Sequence, residues 1–295
     1  ILIMQFSFHE SCGANNLVIN DDVYKYLIKA RRHRLGDVIA FRNLKDDFLY
    51  SYELSSIDRK KASFKLIDSL EKKLKNPVWY SLKETHNRFL IAYDSVQFYQ
   101  PEVCTFGAFE DYSKTADALN AYATIAERFF VVSEIEPTIN PKKIVLEKKI
   151  VGCQMVLRGQ AKLEVEISEK IVLLTEEYVD EIYDLIWLVM PGYYQKRTFE
   201  MGKYFGIFKE GKLISITGQR LQTNDFIEVS AVVTHPDYRK KGYGKQLVAH
   251  TTNEILKEGK TPILHTDKGN SAIPLYKNLG YQVTRDMNWW LYQRK

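Results

Sequence analysis

The chain has 295 residues, enough for two or three domains of about 100–200 residues each. Its 45% apolar and 27% charged residues are those of a soluble globular protein, and apolar runs such as Leu185–Pro191 fall far short of the roughly 18–20 residues of a membrane span, so no membrane partner is expected. The net charge of +5 suits an anionic partner, a nucleotide or an RNA, without selecting one.

Ile1-Leu2-Ile3 has neither a basic n-region nor a cleavage site and reads as extra residues before a natural start at Met4. Cys12, Cys104 and Cys153 are odd in number and widely spaced, with no Cys-x-x-Cys pair. That disfavours a disulfide scaffold and a zinc site alike, so no metal is expected, and three buried thiols in a reducing cytoplasm are the simple reading.

Residues 1–70 alternate as short strands at 38–43, 48–57 and 63–67, with turns at Asp46-Asp47 and Asp58–Lys61 and a helix near Asp21–Arg31. A small β-barrel follows. The lysine-rich stretch Asp68–Pro77 reads as a linker or short helix, stopped at Asn76-Pro77. Residues 71–167 mix helix and strand: a helix over Lys114–Arg128 with Ala118, Leu119, Tyr122 and Ile125 on its apolar face, then strands at 129–132, 143–150 and 153–157. A softer boundary lies near Arg158–Lys170. Residues 168–295 predict a strand at 171–174 and a helix capped by Thr175 with Val179, Ile182, Tyr183 and Ile186 inward. An antiparallel meander follows, Tyr204–Phe208, Leu213–Arg220 and Phe226–Thr234, turning at Gly211 and Asn224-Asp225. Helix 243–258, strand 263–266, helix 271–279 and strand 281–292 complete it. No internal repeat or low-complexity segment is visible.

The chemistry concentrates in Arg239-Lys240-Lys241-Gly242-Tyr243-Gly244, where a strand ends and a helix begins. Glycines let backbone N–H groups approach a ligand, the helix start adds unpaired donors, and three cations share the loop. Together with Lys245 this suits a pyrophosphate, but it has neither the ending of a P-loop nor Gly-x-Gly-x-x-Gly spacing. The run resembles the Q/R-x-x-G-x-G/A signature of GNAT acetyltransferases, which cradles the pyrophosphate of acetyl-CoA. Residues 270–282 resemble their second signature at Asn270, Tyr276, Gly280 and Tyr281, with a small register difference at the alanine. The resemblance covers about 130 residues. It implies an α/β (α+β) GNAT acyl-CoA N-acyltransferase fold behind a preceding α/β segment, coenzyme A binding, and acetyl transfer to a primary amine on a small molecule or a protein.

An acceptor amine must be neutral to attack, and a lysine-like amine has a pKa near 10.4, so a base is useful. Strand alternation puts Phe226, Glu228, Ser230 and Val232 on one face. Glu228 precedes Gly242 by fourteen residues, a spacing that resembles the base glutamate of histone-type GNAT enzymes. A pairing of Glu228 with a nearby cation fits the sequence equally well. The same strand offers oxyanion donors near Val232 and Val233. Tyr276 could serve as a hydrogen-bond donor to the leaving sulfur as much as a true acid, since full proton transfer is uphill by about 1.5 units, or roughly 2 kcal/mol. His235 and His265 have no partner at metal-ligand spacing and read as structural. In loop 191–200, Tyr193, Tyr194 and Arg197 lie where GNAT enzymes build the acceptor site; Arg197 could hold a carboxylate or an internal ion pair.

The first seventy residues, with a Met-Gln-Phe opening, a basic helix end over Lys29–Arg34 and Gly36-Asp37-Val38-Ile39, resemble the PUA-like barrel of bacterial 16S ribosomal RNA uridine N3-methyltransferases. In that family the barrel binds RNA, which nominates Lys29, Arg31, Arg32 and Arg34 for ribosomal RNA contact. Residues 1–70 carry eleven Lys/Arg against nine Asp/Glu, a weak surplus for an RNA binder, so a solvated helix end remains the rival reading. The knotted methyltransferase domain of that family has no counterpart here. The competing function is an RNA-binding protein whose GNAT domain holds coenzyme A without efficient transfer. Oligomeric state and the acceptor stay open.

Overall fold

The computed structural model describes residues 6–12, 14, 16–42, 50–157, 161–192 and 194–295; Met4, Gln5, the Asp46-Asp47 turn and Tyr193 lie outside them. The chain divides into two compact units, Ile1–Lys75 and Asn76–Lys295.

The first unit holds β1 (Phe6–Phe8), β2 (Asn16–Asn20), α1 (Asp21–Tyr24), β3 (Val38–Arg42), β4 (Tyr50–Ile57), β5 (Lys61–Ser69) and α2 (Leu70–Lys75). Its five strands run in the order β1-β3-β4-β5-β2, antiparallel except for β1 beside β3. Period-two alternation turns Leu17 and Ile19, then Tyr52 and Leu54, into the core. There Phe41 meets Phe64 edge to face, with ring centres 5.2 Å apart. Helix α1 widens into a π-helical turn over Lys25–Ala30, where the Arg31 N–H reaches back to the Tyr26 carbonyl at 2.9 Å.

The second unit begins with α3 (Pro77–Lys83), started by a proline at its first position and entirely buried over Pro77–Leu82. It continues through β6 (Leu90–Tyr93), β7 (Val96–Tyr99), β8 (Phe106–Phe109), α4 (Thr115–Tyr122), β9 (Arg128–Val132) and β10 (Ile144–Leu157). Then come β11 (Ile171–Leu174), α5 (Val179–Val189), β12 (Tyr204–Lys209), β13 (Lys212–Gln222), β14 (Phe226–Thr234), α6 (Tyr243–Lys257), β15 (Thr261–Asp267), α7 (Ile273–Asn278) and β16 (Tyr281–Arg294). All eleven strands form one sheet, ordered β11-β12-β13-β14-β15-β10-β16-β9-β8-β7-β6.

That order contains the same design twice. The antiparallel meander β6-β7-β8 crosses through α4 to a parallel partner, β9, and the meander β12-β13-β14 crosses through α6 to a parallel partner, β15. Each run then gives its last strand to the other: β10 lies against β15, and β16 against β9. Residues 76–167 and 168–295 therefore share one sheet, knitted by the long β10–β16 pair. The repeat is one of topology, which is why the residues show none.

Three local expectations change. Segments 143–150 and 153–157 are one fourteen-residue strand, because Gly152 is a place of close approach and not a turn: a Cβ there would stand 3.0 Å from the Thr266 carbonyl oxygen. Helix α4 stops at Tyr122, leaving Ile125 exposed, and Arg128 already opens β9. The Thr175 hydroxyl bonds the Glu177 carboxylate at 2.7 Å and caps no backbone N–H.

Candidate active site

Strands β14 and β15 pair only over Phe226–Glu228 and then part. A bulge keeps β14 on β13 while it leaves β15: Ser230 faces Gly218 and Val233 faces Ile216, so Ala231 and Val232 together oppose Thr217, with Ala231 at φ +48°. The extra residue ends the simple alternation on which the facing of Val232 was read. In the wedge lies a cavity of about 240 Å³, walled by Ser230–Val232 on one side and Leu264–Asp267 on the other. Phe106, Phe130 and Trp289 supply aromatic surface from β8, β9 and β16.

The strand that walls the cavity runs into the α6 N terminus. Gly242 takes φ +82° as the residue before the helix, and Lys240 takes φ +62°. Among the described residues nothing comes within 4 Å of the place where a Gly242 Cβ would stand, so the glycine serves the backbone turn and leaves open space beside it. The N–H groups of Tyr243, Gly244 and Lys245 begin the helix without intrahelical acceptors. Arg239, Lys240, Lys241 and Lys245 are exposed around them. The Tyr243 ring is buried, with the Lys209 ammonium 5.8 Å from its centre. Val233 is buried in the core beside Ile216, so only its backbone could face a ligand.

Glu228 is fully buried. Its carboxylate accepts from Arg220 Nε at 2.9 Å and Nη2 at 2.7 Å, from the Leu221 N–H at 3.1 Å, and from His265 Nδ1 at 2.8 Å. Burial alone would raise its pKa; the Arg220 charge and hydrogen bonds, with those of His265, overcome this and hold it far below the usual carboxylate range. His265 Nε2 faces the Gln154 amide nitrogen at 3.0 Å, and the Gln154 Oε1 accepts from Thr284 at 3.2 Å. Because an ionised carboxylate can only accept, Nδ1 is the donor to Glu228. The Arg220 guanidinium lies over the Phe106 and Trp289 rings, 4.9 and 5.8 Å from their centres.

Tyr276, on α7, lines the cavity, and its hydroxyl has no hydrogen-bond partner among the described residues. Burial pushes its pKa up to about 12. Asn270 also lines the cavity, where its side chain accepts from the Ala272 N–H at 2.8 Å and sets the start of α7. Two expected acceptor residues sit elsewhere. Arg197 is bound to Glu200 at 2.6 Å and Glu102 at 3.0 Å, and Tyr194 is buried against Tyr204, so neither lines the cavity; Met190 does. The sequence reading missed Arg220, Gln154, Phe106, Phe130 and Trp289, and set His265 aside. They come from five different strands besides β15, and no local spacing joins them. In the first unit Lys29, Arg31, Arg32 and Arg34 are all exposed on or after the wide turn, beside the half-exposed Tyr26 ring. Among the described residues no acidic, histidine and cysteine cluster could hold a metal, and no helix is long and apolar enough to cross a membrane.

Residues 204–291 match the family model of FR47-like proteins. A protein from Novosphingobium aromaticivorans, described as an acetyltransferase of the GNAT family, superposes with a TM-score of 0.66 at 26% identity over 75% of this chain and 98% of its own. Residues 76–295 share the fold of that GNAT-family protein. A GCN5-related N-acetyltransferase-like protein from Streptococcus suis shares the fold at 14% identity, with a TM-score of 0.52 over 76% of this chain and 96% of its own. Earlier in the chain, residues 19–67 match the RNA methyltransferase PUA domain. The ribosomal RNA small subunit methyltransferase E of two Helicobacter pylori strains is 38% and 36% identical over 64 residues, or 22% of this chain. This chain spans 28% of those relatives' length.

Proposed function

We propose that the GNAT unit moves an acetyl group from acetyl-CoA to a primary amine. The observation that carries this reading is the parting of β14 from β15: it opens a cavity whose wall strand leads straight into a glycine-turned, cation-flanked helix N terminus. The α6 N–H groups with Arg239, Lys240 and Lys241 hold the pyrophosphate. The bound donor supplies an acetyl group activated as a thioester. The backbone N–H of Val232, at the bulge, polarises the carbonyl oxygen as the amine adds. Tyr276 hydrogen-bonds the sulfur. With its pKa near 12 against about 8.5 for a thiol, full proton transfer is uphill by about 3.5 units, or roughly 5 kcal/mol, so the hydroxyl donates a hydrogen bond and keeps its proton.

Glu228 does not suit the role of base. Its lone pairs are committed to Arg220, His265 and Leu221, and so strong an acid gains little by taking a proton from an ammonium. It fixes Arg220 and His265 at the cavity wall, and the amine loses its proton to water. Release of free thiol from acetyl-CoA with a panel of primary amines tests the reading. Tyr276→Phe is expected to lower kcat by roughly 10–100-fold with little change in acetyl-CoA affinity. An enzyme silent with every amine class would support instead a protein that holds coenzyme A without transfer.

For the PUA-like unit we propose RNA binding through Lys29, Arg31, Arg32 and Arg34. Its support is the exposure of all four cations on and just after one wide turn, with Arg31 5.9 Å from the centre of the half-exposed Tyr26 ring. Ribosomal RNA is the partner named by the relatives.

A further inference from the structure

The Arg220 guanidinium is only half used. Nε and Nη2 are tied to Glu228, whereas Nη1 has no partner among the described residues, and the side chain borders the cavity. Its partner carboxylate is wholly buried, but the Arg220 side chain keeps 18% of its surface accessible. Two aromatic rings hold the guanidinium plane, so its outer edge, Nη1 with the second N–H of Nη2, is a fixed fork. Such a fork matches a carboxylate end on. Beside it Phe130, Ile150 and Trp289 offer apolar surface, and Ser230 and Val232 mark the wall where the acetyl group would lie. At about 240 Å³ the cavity is below the usual range of roughly 300–1,000 Å³ for drug-sized ligands, and it fits a small molecule.

We propose that the acceptor is a free α-amino acid with an apolar or aromatic side chain. Its carboxylate seats on the outer edge of Arg220, its side chain lies against Trp289 and Phe130, and its amine points to the acetyl group. The inference rests on the acetyl-transfer reading. In the reaction the ammonium first gives one proton to water, the amine nitrogen forms the new amide bond, the thioester C–S bond breaks with its electron pair going to sulfur, and the second proton leaves the nitrogen for water, from which the coenzyme A thiolate takes up a proton according to its pKa. Linear polyamines and aminoglycosides, which carry no carboxylate, are excluded as good acceptors. Arg220 acts on binding and orientation and takes no proton.

The test uses the wild-type full chain, because replacing Arg220 strands a buried Glu228 and endangers folding. L-Phenylalanine, L-phenylalaninamide and phenethylamine are compared for thiol release from acetyl-CoA, with L-leucine and isoamylamine as a second series. A preference in kcat/KM of roughly 10–100-fold for each amino acid over its carboxylate-free analogues is expected. Trp289→Leu keeps the Arg220–Glu228 pair and should raise KM for phenylalanine with little effect on kcat. Equal rates across a series, or faster rates for the amines, overturn the inference. The thermal shift with acetyl-CoA, read beforehand, separates the two failures. Its absence overturns the transferase reading and this inference together; an intact shift with carboxylate-blind acceptors overturns this inference alone.

Discussion

At the residue scale the site turns on one buried carboxylate. The glutamate and its spacing from the glycine loop are legible in the sequence, but its partner is not: Arg220 sits eight residues earlier, on the neighbouring strand, and only the β13–β14 register brings it into reach. The pair changes what a Glu228→Gln variant should do. A base would give a defect that shrinks as the amine titrates. A carboxylate held ionised far below its usual range does not change state across an assay between about pH 6 and 9. Wild type and variant should therefore give parallel pH–rate profiles displaced by a constant factor. The variant should also lose about 3 kcal/mol of stability or somewhat less, since it leaves a part-buried Arg220 without its counter-charge. Profiles that converge at high pH would restore the role of base.

At the element scale the α6 loop and the β12-β13-β14 meander were readable because glycine turns and period-two alternation are local signals. Buried α3 was not, because Pro77–Leu82 are buried on every side and so show no periodic face. A second buried network ties α3 to the sheet and to the segment before β12. His86, just past α3, meets Ser81 at 3.0 Å and Tyr99 at 2.9 Å through Nδ1, and the Met201 carbonyl at 3.0 Å through Nε2. Burial, the largest cause, lowers its pKa to about 4 from 6.5, while the Met201 bond opposes the shift. The unfolded chain thus takes up a proton below pH 6.5 that the folded chain refuses. The stabilising contribution is full above pH 6.5 and is lost as pH falls towards 4, by up to about 3 kcal/mol. Denaturant midpoints of wild type and His86→Gln, followed from pH 7.5 to 4, should converge on acidification. Curves that stay parallel would show that His86 is protonated in the fold.

At the scale of the whole molecule, the sequence offers a lysine-rich stretch at Asp68–Pro77 and a softer boundary near Arg158–Lys170, but the exchange of last strands between the two runs of residues 76–295 leaves no local signal. Both donated strands are ordinary alternating sequence, and their partners are chosen by topology. The doubling also explains why one cofactor site is expected. Where the second run has Gly242 and its cations before α6, the first has Glu110-Asp111-Tyr112-Ser113-Lys114 before α4, and Asp111 occupies the turn itself by accepting from the Ser113 N–H at 2.9 Å. The RNA binding proposed for the PUA-like unit would be salt-dependent. Replacing Arg31, Arg32 and Arg34 together by alanine should weaken binding of a 16S ribosomal RNA fragment and reduce the slope of log affinity against log salt by up to about 2–3 units. An unchanged slope would make this turn a solvated surface. The central claim is that the Arg239–Gly244 turn holds acetyl-CoA, and titration calorimetry of acetyl-CoA into the full chain tests it most directly. Wild type should bind with one site per chain. Gly242→Val, which forces a β-branched residue to φ +82° and places a side chain where the pyrophosphate would lie, should show no heat of binding while its melting temperature stays within a few degrees of wild type. Binding of acetyl-CoA to Gly242→Val with wild-type affinity would contradict the account.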